Sequence, residues 1–259
     1  MNNSLFLEER RHLILEDLKQ NGRVSVKILS DKLGVSEVTI RQDLRALEEE
    51  GVLERTYGGA MLRSASSTSA ELSFDIRRRK HKAEKDAIGR AAAALVRDGY
   101  GIALDGSTTS FAMTPYLKPS DGLTIVTNSL MIAQQFLDSP RIRILMPAGR
   151  LRQDSISLVG SPETLADINL NLGFFGVRGL AFAAGITELS PEEADMKRAM
   201  MKLCYANVVL ADSSKWGLVS PYTFAEARDI SRIITASGCP PEEVEKFRAL
   251  SVQVDVIDG

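Results

Sequence analysis

Val38, Arg41, Gln42 and Arg45 are the side chains of this chain best suited to reading another molecule. Arginine can bond guanine through two parallel N–H groups and glutamine can do the same with adenine, while Val and the methyl of Thr39 can meet a thymine methyl. Spacing supports the same chemistry. Ile40, Leu44 and Leu47 fall at i, i+4 and i+7, one apolar helical stripe. With that stripe turned inward, a period of about 3.6 residues per turn points Val38, Arg41, Gln42 and Arg45 outward and leaves Thr39 at the flank. Glu48, Glu49 and Glu50 follow, so only the first half of the helix suits nucleic acid. A generic amphipathic helix of a small bundle would share any one of these features. Turn, cap, stripe and outward face together point to DNA.

A second group of residues has the types that hold an anion. Asp105-Gly106-Ser107-Thr108-Thr109, Thr127-Asn128-Ser129, Ala148-Gly149 and Asp212-Ser213-Ser214-Lys215 each follow a short apolar run. Hydroxyls, free backbone N–H groups and helix starts favour a phosphate, and Lys215 adds a point charge. Each loop alone is weak evidence, because Ser, Thr and Asn are ordinary helix caps. Two readings stay open for Asp105, an acceptor for a sugar hydroxyl or a turn residue. Glu193 and Lys197, at i and i+4, read as a surface pair. The basic run 77–82 reads as solvated surface, with phosphate contact as the alternative. No catalytic set and no metal-ligand spacing emerges. Proton transfer between sugar carbons needs a positioned carboxylate or imidazole, yet His12 and His81 lie away from the expected strand ends, and Asp105 and Asp212 lack an evident partner.

The elements that must position these groups follow from local signals. Leu33-Gly34-Val35-Ser36 is a tight turn: Gly34 is free to take positive φ and Ser36 caps the next helix. Residues 51–57 alternate like a strand and Gly58-Gly59 signals a turn. On such a strand Arg55 and Tyr57 share a face and reach phosphate or the minor groove, contacts that fix register. A first helix is expected over 6–20, with Phe6, Leu13, Ile14 and Leu18 inward and Asn21-Gly22 as its stop. This is the outline of a winged helix-turn-helix, residues 1–62. A Ser-rich linker, 63–74, follows. From 75 to 259 strands alternate with helices, which predicts a mostly parallel sheet covered on both faces. Strands are expected near 101–104, 123–127, 142–146, 174–177, 207–211, 230–235 and 252–257, and helices near 83–97, 110–117, 129–138, 162–168, 191–204 and 241–249. In such a sheet ligands bind beyond the carboxyl ends of the strands, where the four loops fall.

Composition bounds the rest. A chain of 259 residues with 44% hydrophobic content fits a small domain plus a larger one. No apolar run approaches the roughly 20 residues of a membrane span, and the charged start MNNSLFLEERR is no secretion signal. Cys204 and Cys239 read as thiols of a reducing cytoplasm. Residues 1–63 carry ten Lys or Arg against eleven Asp or Glu. Affinity for DNA comes largely from phosphate contacts, so a neutral head argues for a homodimer or homotetramer.

Taken together the residues resemble a DeoR-type transcriptional regulator over nearly the whole chain. In the head the resemblance rests on Val24-Ser25, Leu29-Ser30, the run Val35-Ser36-Glu37-Val38-Thr39-Ile40-Arg41-Gln42-Asp43-Leu44, Glu48, Gly51-Val52-Leu53-Glu54-Arg55 and Gly58-Gly59-Ala60. In the body it runs through Lys85, the 105–109 loop, Thr127-Asn128-Ser129, Gly149, Gly160, Gly176, Gly179, Gly185-Ile186-Thr187 and Asp212-Ser213-Ser214-Lys215. The resemblance implies an α/β sensor akin to sugar-phosphate isomerases and CoA transferases. It implies a repressor of a carbohydrate-catabolism operon that leaves its double-stranded operator on binding a phosphorylated sugar, with no cofactor. DNA would be met by Ser36, Val38, Thr39, Arg41, Gln42, Arg45, Arg55, Tyr57 and Gly58. The effector would be met by Asp105, Gly106, Ser107, Thr108, Thr109, Thr127, Asn128, Ser129, Gly149, Gly176 and Lys215. The chain departs from the pattern at Gln42, where a second Arg is common, at Tyr57, and at Gly106, one place early. Asn171 and Leu172 stand where an Asp-Lys pair is common, a position expected to bear on the pocket, and the apolar 177–184 segment marks an atypical effector. The alternatives are an isomerase- or CoA-transferase-like enzyme with an accessory head, and an activator of the same family.

Overall fold

The computed structural model describes residues 7–21, 23–49, 53–62, 74–153, 155–165 and 167–258. The chain forms two compact units, Met1–Ile76 and Arg77–Gly259. Expectations for Phe6, Gly22, Glu50, Gly51, Val52 and 63–73 fall outside the described residues.

In the first unit α1 (Leu7–Asn21), β1 (Arg23–Ser25), α2 (Val26–Leu33), α3 (Glu37–Glu49), β2 (Leu53–Thr56) and β3 (Gly59–Leu62) follow in order. Ile14 and Leu18 of α1, Val26 and Leu29 of α2, and Ile40, Leu44 and Leu47 of α3 meet in one core with Leu53 and Ala60. Leu13 is exposed rather than inward, because Ile14 and Leu18 already define the buried face of α1. Gly34 takes φ 66° and its N–H caps α2 at the Ser30 carbonyl, so the sharp turn is made by the residue that bears positive φ without strain. The strands pair antiparallel in the order β1-β3-β2. The wing turns at Tyr57-Gly58, with Gly58 at φ 89° and Gly59 already in β3. Tyr57 therefore leaves the strand, and the expected shared face with Arg55 does not form.

The second unit opens with the end of α4 (Phe74–Arg79), then α5 (Lys82–Ala93), β4 (Gly101–Leu104), α6 (Thr108–Phe111), α7 (Thr114–Leu117), β5 (Thr124–Thr127), α8 (Leu130–Gln134) and β6 (Arg143–Leu145). The hairpin β7 (Arg150–Arg152) and β8 (Ser157–Val159) follows, then β9 (Leu170–Gly176), β10 (Gly179–Ala181), β11 (Gly185–Glu188), α9 (Pro191–Lys202) and β12 (Cys204–Ala211). β13 (Tyr222–Ala225), β14 (Arg232–Ala236), α10 (Pro241–Ala249) and β15 (Gln253–Ile257) complete it. Among the described residues seven strands form one sheet in the order β15-β14-β12-β9-β4-β5-β6, every pair parallel. Alternate residues face opposite sides: Val208 and Leu210 pack under α5 to α8, Val209 and Ala211 under α9 and α10. The chain winds one way from β4 to β6 and the other way from β9 to β15, so the order reverses between β4 and β9. A crevice at such a reversal is where open α/β sheets bind ligands. No helix among the described residues is long and apolar enough to cross a membrane.

Three expectations are corrected. The helix expected over 162–168 is a single turn, Pro162–Thr164, because Leu165 is already extended at ψ 140°. The helix expected over 110–117 starts earlier, capped by Ser107, and divides into α6 and α7. The apolar 177–184 segment serves packing: Val177 and Leu180 lie in the core and Phe182 meets Phe247 edge-to-face at 5.4 Å.

Candidate functional site

On the head, α3 presents Val38, Arg41, Gln42 and Arg45 to solvent with Thr39 half-buried, while Arg55, Tyr57 and Gly58 are exposed on the wing. Ser36 is exposed and accepts the Thr39 N–H at 3.1 Å, so it starts the helix. Arg41 bonds Glu37 one turn earlier at 2.5 Å, an exposed pair that DNA would have to open. The opposite side of α3 is anchored by charge. Asp43 is buried and takes Nε of Arg10 at 2.5 Å and a second guanidinium nitrogen at 3.2 Å, a fork geometry that fixes angle as well as distance. Glu48 accepts the Arg55 N–H at 3.0 Å and ties the wing to α3. Arg10, Asp43 and Glu48 were not singled out from sequence as supports, although Asp43 one residue from the apolar Leu44 carried the signal.

In the sensor unit the expected loops follow the carboxyl ends of β4, β5, β6 and β12, along one edge of one sheet. Ser107 and Ser129 cap α6 and α8, and Thr127 accepts the Ser129 N–H at 3.1 Å. Thr108 and Thr109 are buried, and Gly106 and Ser107 are half-buried. Gly149 is exposed at the entry to β7, with φ 153°. Gly176 packs against Ser107 so closely that any Cβ would overlap the serine side chain.

Asp105 settles its two open readings against a free acceptor. Oδ1 takes the hydroxyls of Ser107 and Ser110, at 2.7 and 2.5 Å, and Oδ2 takes the Gly176 N–H at 3.0 Å. Lys197 Nζ lies 3.0 Å from the same Oδ2 and 2.5 Å from Glu188, and donates to the Gly176 carbonyl at 2.8 Å. Arg178 adds its guanidinium to Glu188 at 3.3 Å. Lys197 is thus no surface residue: it is 5% exposed and crosses the β4/β9 reversal as a buried tie. Burial alone would lower its pKa, but Glu188, Asp105 and Glu193 hold it well above the usual lysine range. Burial would raise the Glu188 pKa, and Lys197 and Arg178 outweigh it, so the net shift is downward. Residues 193, 194, 196, 197, 200 and 201 are the buried face of α9, so the helical period itself marked Glu193 and Lys197 as inward. Asn171 bonds the Gly101 N–H at 2.9 Å at the amino end of the strands, the edge away from the loops, so it has no bearing on the pocket.

The last loop assembles partners that are distant in sequence. Asp212 is wholly buried, and its Oδ1 takes the Ser214 N–H and hydroxyl. Lys85 stands 3.6 Å and Lys215 3.9 Å from Oδ2. Lys85 also donates to the carbonyls of Arg77 and Lys80, at 2.8 and 2.5 Å. Burial, and then Lys215 and Arg77 against the opposing pull of Asp212, brings the Lys85 pKa down to about 8. Glu84 accepts the Ser213 N–H at 2.8 Å and meets His81 Nδ1 at 2.7 Å. His81 therefore lies beside a strand-end loop, contrary to the sequence expectation. Its nitrogen and the Glu84 and Asp212 carboxylates lie within 4.8 Å of one another, a separation one metal ion spans, but Lys85 and Lys215 already balance the Asp212 charge.

Two buried acceptors at these strand ends have no hydrogen-bond donor among the described residues: Asn128 Oδ1 and Asp212 Oδ2. The other end of the Asn128 amide donates to the Leu158 carbonyl at 3.1 Å, and Leu158 N–H returns to the Asn128 carbonyl at 2.8 Å. The β7–β8 hairpin is so seated on the β5 loop, and Arg150 pairs it with Glu192 of α9 at 2.7 Å.

Residues 10–66 match the DeoR-like helix-turn-helix domain and residues 80–237 the DeoR C terminal sensor domain. The chain is 36% identical to the HTH-type transcriptional repressor GlcR of Bacillus subtilis over 89% of either chain. It is 32% identical to the HTH-type transcriptional regulator GlpR of Haloferax volcanii over 97% of either chain. It is 31% identical to the regulator GolR of Listeria innocua over 98% of this chain and all of the relative. Among solved structures, ribose 5-phosphate isomerase A from Methanocaldococcus jannaschii aligns with 52% of this chain and 55% of its own at 14% identity and a TM-score of 0.40.

Proposed function

The chain belongs to the DeoR family of DNA-binding transcriptional regulators, and on that premise we propose that it represses a carbohydrate-catabolism operon and is released from the operator by a phosphorylated sugar. Arg41, Gln42 and Arg45 read base edges, and Ser36, Val38, Thr39, Arg55, Tyr57 and Gly58 support them. The effector lies over the strand ends, among Thr108, Thr109, Thr127, Asn128, Ser129, Gly149 and Lys215. Asp105, Ser107 and Gly176 form the floor beneath it rather than touching it. The protein works in the cytoplasm as a homodimer or homotetramer, which gives an otherwise neutral head enough phosphate contacts.

One observation carries the effector reading: two buried acceptors without donors, Asn128 Oδ1 and Asp212 Oδ2, share an edge with two ammonium groups, Lys85 and Lys215. Hydroxyls satisfy the acceptors, which otherwise cost about 1–3 kcal/mol each, and a phosphate satisfies the cations. A phosphorylated polyol offers both. Against the enzyme alternative, both domains match those of DNA-binding regulators. Both oxygens of Asp105 are bonded, and Asp212 Oδ2 faces two ammonium groups, whereas a base needs an oxygen free to take a proton.

A thermal-shift screen of the full chain against phosphorylated sugars and their free counterparts tests this. A ligand at about a hundred times its dissociation constant stabilises by about 2.7 kcal/mol. A shift with a sugar phosphate, absent with the free sugar and absent in Asn128→Leu, is expected. Equal shifts with free and phosphorylated forms, or none with any phosphate, would overturn the effector class and leave the DNA-binding head untouched.

A further inference from the structure

We propose that the sensor unit itself grips the DNA backbone, through Arg79, Lys80 and Lys82 at the junction of α4 and α5. These three side chains are exposed, and among the described residues none has a hydrogen-bond or ion-pair partner. Exposed cations elsewhere in this unit divide: Arg141 pairs with Asp121, Arg150 with Glu192, Arg228 with Glu226, Lys246 with Glu243 and Arg248 with Glu245, while among the described residues the side chains of Arg90, Arg97, Lys118, Arg143 and Lys202 have no such partner. Crowding sets the junction apart: three unpaired cations fall within the four residues 79–82.

The junction is also held in shape. Lys85 bonds the carbonyls of Arg77 and Lys80, and His81 takes left-handed φ 51° between the two helices. Arg78 lies over the Phe111 ring at 5.7 Å. Arg78, Arg79, Lys82 and Lys85 border a concavity of about 380 Å³. A preformed cationic turn spends less ordering entropy on binding than loose side chains do.

Duplex DNA is the occupant that the charge balance calls for. Residues 1–63 carry ten cations against eleven acids, so the reading head brings little net attraction for phosphate. The basic run follows the head after residues 63–73, a segment that spans at most about 40 Å even when fully extended. A cation tethered that close to a bound head meets the flanking backbone at high effective concentration. Contacts of this kind add affinity and position but no sequence preference.

The test combines Arg79→Gln, Lys80→Gln and Lys82→Gln in the full chain. A control variant removes three other exposed cations of the same unit, Arg97→Gln, Lys118→Gln and Lys202→Gln. Fluorescence anisotropy follows binding to a duplex recovered by in vitro selection with the full chain, and to a scrambled duplex, across salt from about 50 to 200 mM. Each lost phosphate contact flattens the slope of log affinity against log salt by about 0.9. The triple variant should therefore flatten it by about 2–3 on both duplexes, with the control near the parent. An unchanged slope overturns the proposal, and so does an equal change in the control, which would be net charge alone. Unchanged DNA binding with loss of a thermal shift caused by inorganic phosphate overturns it in favour of a small-anion seat. Should the triple variant melt early, Arg79→Gln alone decides, with an expected flattening of about 0.9.

Discussion

Replacing Lys197 with Met removes the ammonium shared by Asp105 and Glu188, and leaves both carboxylates buried at 1% and 2% exposure. Met keeps the bulk of the stem, so the cost is electrostatic rather than a cavity. Removing one partner of a buried pair costs about 3–5 kcal/mol. A unit of this size loses about 2–4 °C per kcal/mol, so the melting temperature should fall by about 6–20 °C. Trp216, the single tryptophan, is buried in the sensor core and reports that transition by fluorescence. Acid gives a second check. In the parent, Glu188 has a pKa below its ordinary 4.5, so its contribution is present above about that pH and lost as pH falls through the lower folded value. In the variant, burial acts on Glu188 with the Arg178 guanidinium but not the ammonium against it, so its pKa rises relative to the parent. The deficit of the variant should shrink as pH drops from about 7 toward 5. Adding Glu188→Gln should recover part of the loss. A melting temperature within about 2 °C of the parent, or a deficit that grows in acid, would refute the buried tie.

Arg41→Ala or Gln42→Ala should cost about 1–3 kcal/mol on the selected duplex and relax the preference at one base position, read by competition among single-base variants. Arg55→Ala should instead weaken all sequences alike and flatten the salt slope by about 1. Gly176→Ala drives a methyl into the Ser107 side chain and should destabilise by about 1–3 kcal/mol in a melt. Binding of a sugar phosphate should weaken as pH rises through about 8, because burial has brought the Lys85 pKa to that value and its neutral amine no longer attracts an anion. Calorimetry at rising pH in two buffers of different ionisation enthalpy would show the proton uptake, and a flat affinity from about pH 7 to 9 would exclude Lys85 from the contact.

Much of the head was legible because its signals are local. The stripe Ile40, Leu44 and Leu47, the Ser36 cap and the Gly34 turn each lie within a few residues of what they shape. The parallel strands were legible as apolar runs, and the carboxyl ends of all seven were placed within one residue. What escaped depends on partners far away. β10, β11 and β13 are three or four residues long and gain their identity from pairing Gly185–Glu188 with Tyr222–Ala225. Lys197 was read by its i, i+4 neighbour and not by the apolar face around it, and Asp105 by its loop and not by the α9 lysine that meets it. Lys85, which faces Asp212, and Glu84, which accepts the Ser213 N–H, come from more than a hundred residues earlier, a distance no spacing rule spans.

The amide of Asn128 is a divided side chain, with its nitrogen committed to the β7–β8 hairpin and its oxygen open. Whatever occupies the oxygen and whatever seats the hairpin therefore act on one rigid plane. By linkage the two must help or hinder each other by the same factor, in both directions. The hairpin becomes a gauge of occupancy without touching the ligand: amide exchange at Leu158, which returns its N–H to the same loop at 2.8 Å, should slow in step with saturation. A substitution that loosens the hairpin from outside, such as Arg150→Ala at its ion pair with Glu192, would weaken the effector by the amount it frees that amide.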